Sequence, residues 1–378
     1  WKVTTSDMVR ATNRFLLAGI NHMFFHGTCY SPEDADWPGW LFYASSQINN
    51  RNPLWRELPA LFKYIERCQS VMQASKPQSD ILIYWPYFDV AASEGKLFNH
   101  LGVHSDSIWL KKQPVGKLSE ILTDAGYTFD YISDKQLSDC ITEDGNIVTS
   151  GGAMYKAIVI PKTDYIPVST LDHCQKLISE GGQVFFDKSL PESVPGLHNL
   201  KEREKILDKI KSELNKEKLT GNVSELLKIS GILGESSLAE QGFYHTKMML
   251  DGNIWYMIFN CSENMTDKYV SLNSGSKHYI LLSPFTGEIS LAEKNKNGVR
   301  IQLGAEETVF VMCSDKDSGI RPHIYYDKNS DKKEIKGIWK ISLAEGGPVI
   351  PGDISTAVLN SWTVMGDEET ARFAGTAR

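Results

Sequence analysis

The chain has no apolar run long enough to cross a membrane; none reaches the roughly 18–20 residues of a helical span. It also has no basic surplus. Its 40 Lys and Arg against 47 Asp and Glu leave a formal charge of −7, so the basic face that a nucleic-acid partner needs is missing. The one dense basic stretch, Lys201 to Lys218, is interleaved with Glu and reads as a solvated helix. Cys29, Cys68, Cys140, Cys174, Cys261 and Cys313 form no CxxC pair, which argues against a zinc knuckle or a thioredoxin-type redox site. Most lie in apolar runs and are expected in the core. A disulfide-dense secreted scaffold is not indicated. The sequence starts at Trp1 with neither Met nor a signal-peptide pattern, so it carries no direct evidence on targeting, and the pattern is still running at Arg378. The expectation is an internal piece of a longer protein.

What is present is an ordinary globular balance, 41% hydrophobic and 23% charged over 378 residues, which argues against wholesale disorder and favours several domains. Residues 1–77 are rich in aromatics. Thr5-Ser6-Asp7 is a plausible cap for a helix through Met8, Ala11, Phe15 and Leu16 that ends at Gly19. Ile20 to Gly27 reads as a short buried strand, followed by a long loop from Thr28 to Pro53 and a helix over about Leu58 to Gln73. Helix, buried strand, long loop and helix match half of a barrel's repeat, in which the loops after the strands carry the chemistry. Residues 78–235 alternate apolar strands (Asp80–Pro86, Tyr127–Ile132, Ala157–Pro161, Gln183–Phe186) with amphipathic helices, the pattern of a parallel sheet covered on both faces. Residues 236–315 read as short strands between tight turns such as Asp251-Gly252-Asn253, an antiparallel sandwich. Asp315 to Lys333 reads as a linker, and residues 334–378 as the start of a further sandwich.

Four constellations carry possible chemistry. His22 and His26, with Asn21, sit on one face if the segment is strand-like; metal ligation, contact with a polar substrate and plain structural hydrogen bonding are all open to them. Tyr30, Trp37, Trp40 and Tyr43 lie among Pro, Gly, Asp and Ser, which favours a loop presenting aromatic faces to a sugar over core packing. Glu33, Asp34 and Asp36 are too close in sequence to flank a scissile bond from both sides, and read as solvated or cation-binding acids. No glycine-flanked Cys or Ser follows a strand of residues 78–200, so that region offers no nucleophile on a strained turn.

Gly19-Ile20-Asn21-His22, His26-Gly27-Thr28, Tyr30-Ser31-Pro32, Trp37-Pro38-Gly39-Trp40 and Asn52-Pro53 resemble the α-L-rhamnosidases of glycoside hydrolase family 106. So does the helix with Tyr64, Arg67, Cys68 and Gln69. At the other end, Asn360-Ser361-Trp362-Thr363 and Phe373-Ala374-Gly375-Thr376-Ala377 look like the start of that family's C-terminal β-sandwich. The resemblance implies a multidomain α/β plus all-β fold: the C-terminal part of an (α/β)8 barrel, a Rossmann or amidotransferase-like parallel-sheet domain, then β-sandwiches. It implies a secreted or periplasmic bacterial enzyme that uses calcium and removes terminal α-L-rhamnose from plant polysaccharides with inversion. The partners it implies are rhamnose-containing oligo- or polysaccharide and the other domains of the same longer chain. The acid and base glutamates and most calcium ligands would lie upstream of Trp1, leaving this segment inactive alone. His22, His26, Tyr30, Trp37 and Trp40 would form a wall of the substrate pocket. The competing expectations are a β-galactosidase-like barrel glycosidase with a similar second domain, and a non-catalytic carbohydrate-binding or structural segment.

Overall fold

The computed structural model describes residues 3–92, 102, 105–327 and 333–378. Residues 328–332 of the expected linker therefore lie outside the described residues. Among the described residues, no helix is long and apolar enough to cross a membrane. The chain divides into two compact units: Trp1–Gln73 with Pro284–Gly287 and Ile324–Arg378, and Ala74–Ser283 with Glu288–His323.

The first unit opens with helix α1 (Thr5–Leu17) and, after forty residues without regular structure, helix α2 (Leu58–Ala74). The cap of α1 falls one residue before the expected stretch. Thr4 accepts from the Asp7 backbone N–H while the Asp7 carboxylate accepts from the Thr4 backbone N–H, the reciprocal arrangement that satisfies two orphan donors. Met8 and Leu16 are buried as their spacing implies, but Phe15 points to solvent; buried Thr12 and Asn13 complete the inner face instead. Asn13 is fully buried because its Oδ1 accepts from the Tyr64 hydroxyl of α2. The strand expected over Ile20–Gly27 does not form. A buried strand needs a ladder partner, and none pairs with it among the described residues; the segment runs extended with His22, Phe24, Phe25 and His26 exposed.

The second unit holds two layers. Its α/β layer contains β1 (Ile81–Tyr84), helix α3 (Pro114–Asp124), β2 (Phe129–Ile132), β3 (Ala157–Ile160), helix α4 (Val168–Ser179), β4 (Val184–Asp187), helix α5 (Leu200–Glu213) and β5 (Thr220–Gly221). The strands run parallel in the order β2-β1-β3-β4-β5, a doubly wound sheet. β1 and β3 are apolar at every position because both faces are covered. Leu82, Tyr84, Ile158, Ile160 and Phe186 pack with α4 and α5; Ile81, Ile83, Ala157, Val159 and Phe185 pack with α3 and the helix Val223–Ile229. A three-stranded antiparallel piece over residues 141–155, which the sequence pattern did not indicate, lies beside α4.

The all-β layer contains β6 (Phe243–Leu250), β7 (Asn253–Asn260), β8 (Thr266–Val270), β9 (His278–Leu282), β10 (Gly298–Leu303) and β11 (Thr308–Ser314). One sheet runs Lys76–Pro77, β6, β7, β11, β9, Ile289–Leu291; the other joins β8, β10 and Lys294–Asn295. Tyr256, Ile258, Val309 and Val311 of the first meet Val270, Val299, Ile301 and Leu303 of the second in one sandwich core. The β6–β7 turn is the expected one. Asp251 and Gly252 both take positive φ (50° and 74°), as a two-residue hairpin loop of the strand-compatible hand requires.

The chain then returns to the first unit with β12 (Trp339–Ile341), β13 (Leu343–Gly347), β14 (Ile354–Thr356) and β15 (Ala374–Ala377). β12 pairs with β14 and β13 with β15, both antiparallel, around a small core of Leu343, Ile354 and Phe373.

Candidate functional site

The aromatic segment between α1 and α2 is held without secondary structure, so its side-chain hydrogen bonds define its shape. From α2, Gln69 Oε1 accepts from the Met23 backbone N–H (2.6 Å) and Gln73 Nε2 donates to the Asn21 carbonyl (2.7 Å), which fixes the stretch around His22 against the helix. Ser45 Oγ donates to the Gly27 carbonyl and accepts from the Gly27 backbone N–H. Arg51 reaches across the loop to the carbonyls of Ala35 and Pro32, each at 2.8 Å. Ser31 Oγ accepts from the Trp40 backbone N–H (2.9 Å). Gly39, at φ +91°, lies so close that a Cβ would come within 2.6 Å of that hydroxyl. Asn52 donates to the Gln47 carbonyl and accepts from Leu54, joining the loop to the start of α2. Arg51→Ala removes the charged fork that binds two backbone carbonyls and is expected to cost about 2 kcal/mol. Limited proteolysis should then cut between residues 30 and 45 well before the rest of the unit.

Each residue expected from the sequence to touch substrate can now be placed. His22 is exposed and stacks on Phe24, ring centroids 4.6 Å apart. His26 is exposed and meets Phe42 edge-on at 5.3 Å. The shared face that strand geometry would have given them is absent with the strand. Tyr30 is 86% exposed and Trp40 61% exposed. Trp37 is different: it is half-buried, with its indole lying over Gly347 of β13, where a Cβ would meet its Cδ1 and Nε1 at 2.5 Å. Trp37 is therefore also a packing element, and the Arg56–Glu345 ion pair ties the same strand to the segment. Phe24, Phe25, Tyr43 and Trp55 are exposed as well, so residues 20–57 present many large aromatic side chains to solvent.

The titratable groups set limits on the chemistry. Glu33, Asp34 and Asp36 are exposed. Among the described residues, no three His, Cys, Asp or Glu side chains converge on one point. Calcium takes six to eight oxygens, and no cluster of carboxylates that would supply several of them forms among the described residues. The carboxyls raised above their ordinary range lie in the second unit. Burial lifts Asp89 to about 6 while its Oδ1 accepts from the Asp164 and Tyr165 backbone N–H groups, stapling the loop after β3. Burial also raises Glu235, which accepts from the Tyr256 hydroxyl and the Asn273 backbone N–H. Each accepts from backbone N–H groups, although the Asp89 Oδ2 is buried without a partner; burial raises Asp187 of β4 as well. The buried thiols are equally inert: burial pushes Cys174 and Cys68 up to about 12, far from nucleophilic range at neutral pH.

Gln47 is the residue that periodicity gave no means of finding. It is a non-glycine residue in the left-handed region (φ 56°) and is 7% exposed. Its Nε2 donates to the Phe42 carbonyl (2.7 Å), which fixes the amide's orientation and leaves Oε1 buried with no donor. A buried acceptor without a partner costs about 1–3 kcal/mol, and the backbone conformation adds to that.

The sequence pattern of the family described as alpha-L-rhamnosidase, glycoside hydrolase family 106, matches residues 1–293, more than three quarters of the chain. The chain belongs to glycoside hydrolase family 106. Among solved structures, the family member's whole length superposes on a rhamnosidase from Novosphingobium sp. PP1Y with a TM-score of 0.75 at 16% identity, covering 36% of that chain. A GH42 β-galactosidase, Gan42B, matches 83% of the chain and 52% of its own length at a TM-score of 0.51 and 9% identity. These likenesses agree with a multidomain α/β and all-β fold. A protein of Formosa agariphila described as "Putative beta-glucuronidase" is 24% identical over 326 residues, 82% of this chain and 26% of that protein. The family 106 chain thus spans 36% of the Novosphingobium rhamnosidase and 26% of the Formosa agariphila protein.

Proposed function

We propose that this chain is part of an α-L-rhamnosidase that removes terminal α-L-rhamnose by inversion, with the exposed imidazoles and aromatics of residues 22–40 bordering the sugar pocket. The observation that carries the reading is the family match over residues 1–293, which includes the segment where His22, His26, Tyr30 and Trp40 stand open to solvent. Inversion needs a carboxylic acid to protonate the leaving oxygen and a carboxylate to activate water, about 6.5–9.5 Å apart. Neither role is assigned to a carboxyl of this chain; both would come from chain outside these residues, together with any calcium ligands. The exposed aromatic surface serves the same reading, since apolar faces of Tyr30 and Trp40 pack on the C–H face of a sugar ring. A polysaccharide substrate would place the whole enzyme in the periplasm or outside the cell.

The test is hydrolysis of aryl α-L-rhamnoside, β-D-glucuronide and β-D-galactoside by the complete protein that carries this chain. Rhamnoside turnover is expected, and Trp40→Ala should lower its kcat/KM about tenfold, a loss of about 1.4 kcal/mol of transition-state binding. Preference for the glucuronide would favour the reading suggested by the Formosa agariphila relative's description. No turnover of any of them, with retained sugar binding, would make the chain part of a binding protein.

A further inference from the structure

A cleft of about 540 Å³ opens within the first unit, on the side of the Ser45–Leu54 turn that faces Asn360–Thr363 and Phe373–Gly375. Its walls are the stretches Asn52-Pro53, Asn360-Ser361-Trp362-Thr363 and Phe373-Ala374-Gly375, which stand out in the sequence and have no part in the pocket wall at His22–Trp40. Not one lining residue carries a charge, although 23% of the whole chain does. A phosphate, a carboxylate or a metal ion would find no counter-charge there. The lining is mixed instead: Trp362 and Phe373 give apolar faces, while Gln47, Asn360, Ser361 and Thr363 give amides and hydroxyls.

Several of those polar atoms are free for a ligand. Asn360 uses its Oδ1 on the Ser361 backbone N–H and leaves its amide donors open. Ser361 and Thr363 pair hydroxyl to hydroxyl at 2.7 Å and keep further donor and acceptor capacity. Trp362 is fixed in orientation because its Nε1 donates to the Phe373 carbonyl (3.2 Å). Gln47, which lines the cleft, carries the buried Oε1 that lacks a partner. A wholly apolar ligand would leave that acceptor and the Asn360 donors unmet. A neutral polyol meets them, and the aromatic faces meet its C–H surface. The volume lies inside the range of small-molecule sites, with room for about one or two pyranose rings.

We propose that the uncharged cleft between Gln47 and Asn360–Thr363 binds a neutral sugar, separately from the surface at His22–Trp40. A ring hydroxyl supplies the donor that Gln47 Oε1 lacks, after a small outward movement of the wall, and Asn360 donates to a neighbouring hydroxyl. The site is a holding site: it contains no acid or base and makes or breaks no bond.

The test follows the Trp362 indole N–H signal in ¹H–¹⁵N spectra of the full chain titrated with methyl α-L-rhamnopyranoside, and separately with D-glucuronate. The expected result is a saturable shift with the rhamnoside and none with glucuronate. Asn360→Ala combined with Thr363→Ala should weaken the rhamnoside at least tenfold. Ser46→Ala, which removes a hydroxyl lining the cleft, gives a second variant should the first fail to fold, with severalfold weaker binding expected. A Trp362 signal that stays still, drifts without saturating or answers glucuronate equally overturns the proposal, as does unchanged affinity in the folded variants.

Discussion

Asp80→Ala should lower the stability of the second unit by about 3–5 kcal/mol, the cost of leaving a buried partner charge uncompensated. Asp80 is 2% exposed. Its Oδ1 accepts from Lys247 at 2.8 Å and Lys156 at 3.0 Å, and its Oδ2 accepts from the Thr128 hydroxyl at 3.1 Å. Lys247 is itself mostly buried on β6, its side chain 11% exposed. Burial pushes the Asp80 carboxyl upward, but the two ammonium groups outweigh it and hold the group below its ordinary value. The sign for pH follows from that direction. Because the folded carboxyl is the stronger acid, its contribution is complete above the unfolded value near 4 and is lost as pH falls through the folded one. Urea unfolding of wild type and Asp80→Asn should therefore show a wide gap at pH 7 that narrows at pH 3. A gap independent of pH would mean that the carboxylate's charge is not what holds the site.

Phe186→Ala should cost a similar amount, about 3–5 kcal/mol, for a different reason. Phe186 is wholly buried in β4, in the cluster that joins the sheet to α4 and α5. Removing a phenyl ring from a closed core leaves a cavity, and strands on both sides of β4 limit collapse into it. The loss should be the same at pH 7 and pH 3, which separates it from the Asp80 effect in one set of urea curves. A cost under 1 kcal/mol would show that this core repacks freely.

The two layers of the second unit were legible because their patterns are local. Four apolar runs with helices between them can be solved as a parallel sheet, and Asp251-Gly252 dictates its own hairpin. α3 begins at Pro114, whose fixed φ suits a first helical turn, a full turn before Leu118, where its apolar spacing starts. The first unit was less legible. Ile20–Gly27 has the composition of a strand, but composition cannot supply a neighbouring ladder. The aromatic loop was visible as a loop; its bracing was not, because Arg51, Gln69 and Gln73 act over distances in sequence that no periodicity encodes. Trp37 and Trp40 lie three residues apart in one turn and do different work, one packed on β13 and the other facing solvent.

The pairing of Lys76–Pro77 with Met248–Met249 carries an implication for how this protein can be dissected. The polypeptide contributes an outer strand to the sandwich before it builds any of the parallel sheet, so the two layers are not beads on a string. A fragment beginning at residue 236 would expose the flank of β6 to any other extended peptide, and the proline that now caps that flank, unable to offer an amide hydrogen, would be gone with it. Shuffling of the sandwich alone between proteins would meet the same penalty, which favours inheritance of both layers as a single cassette.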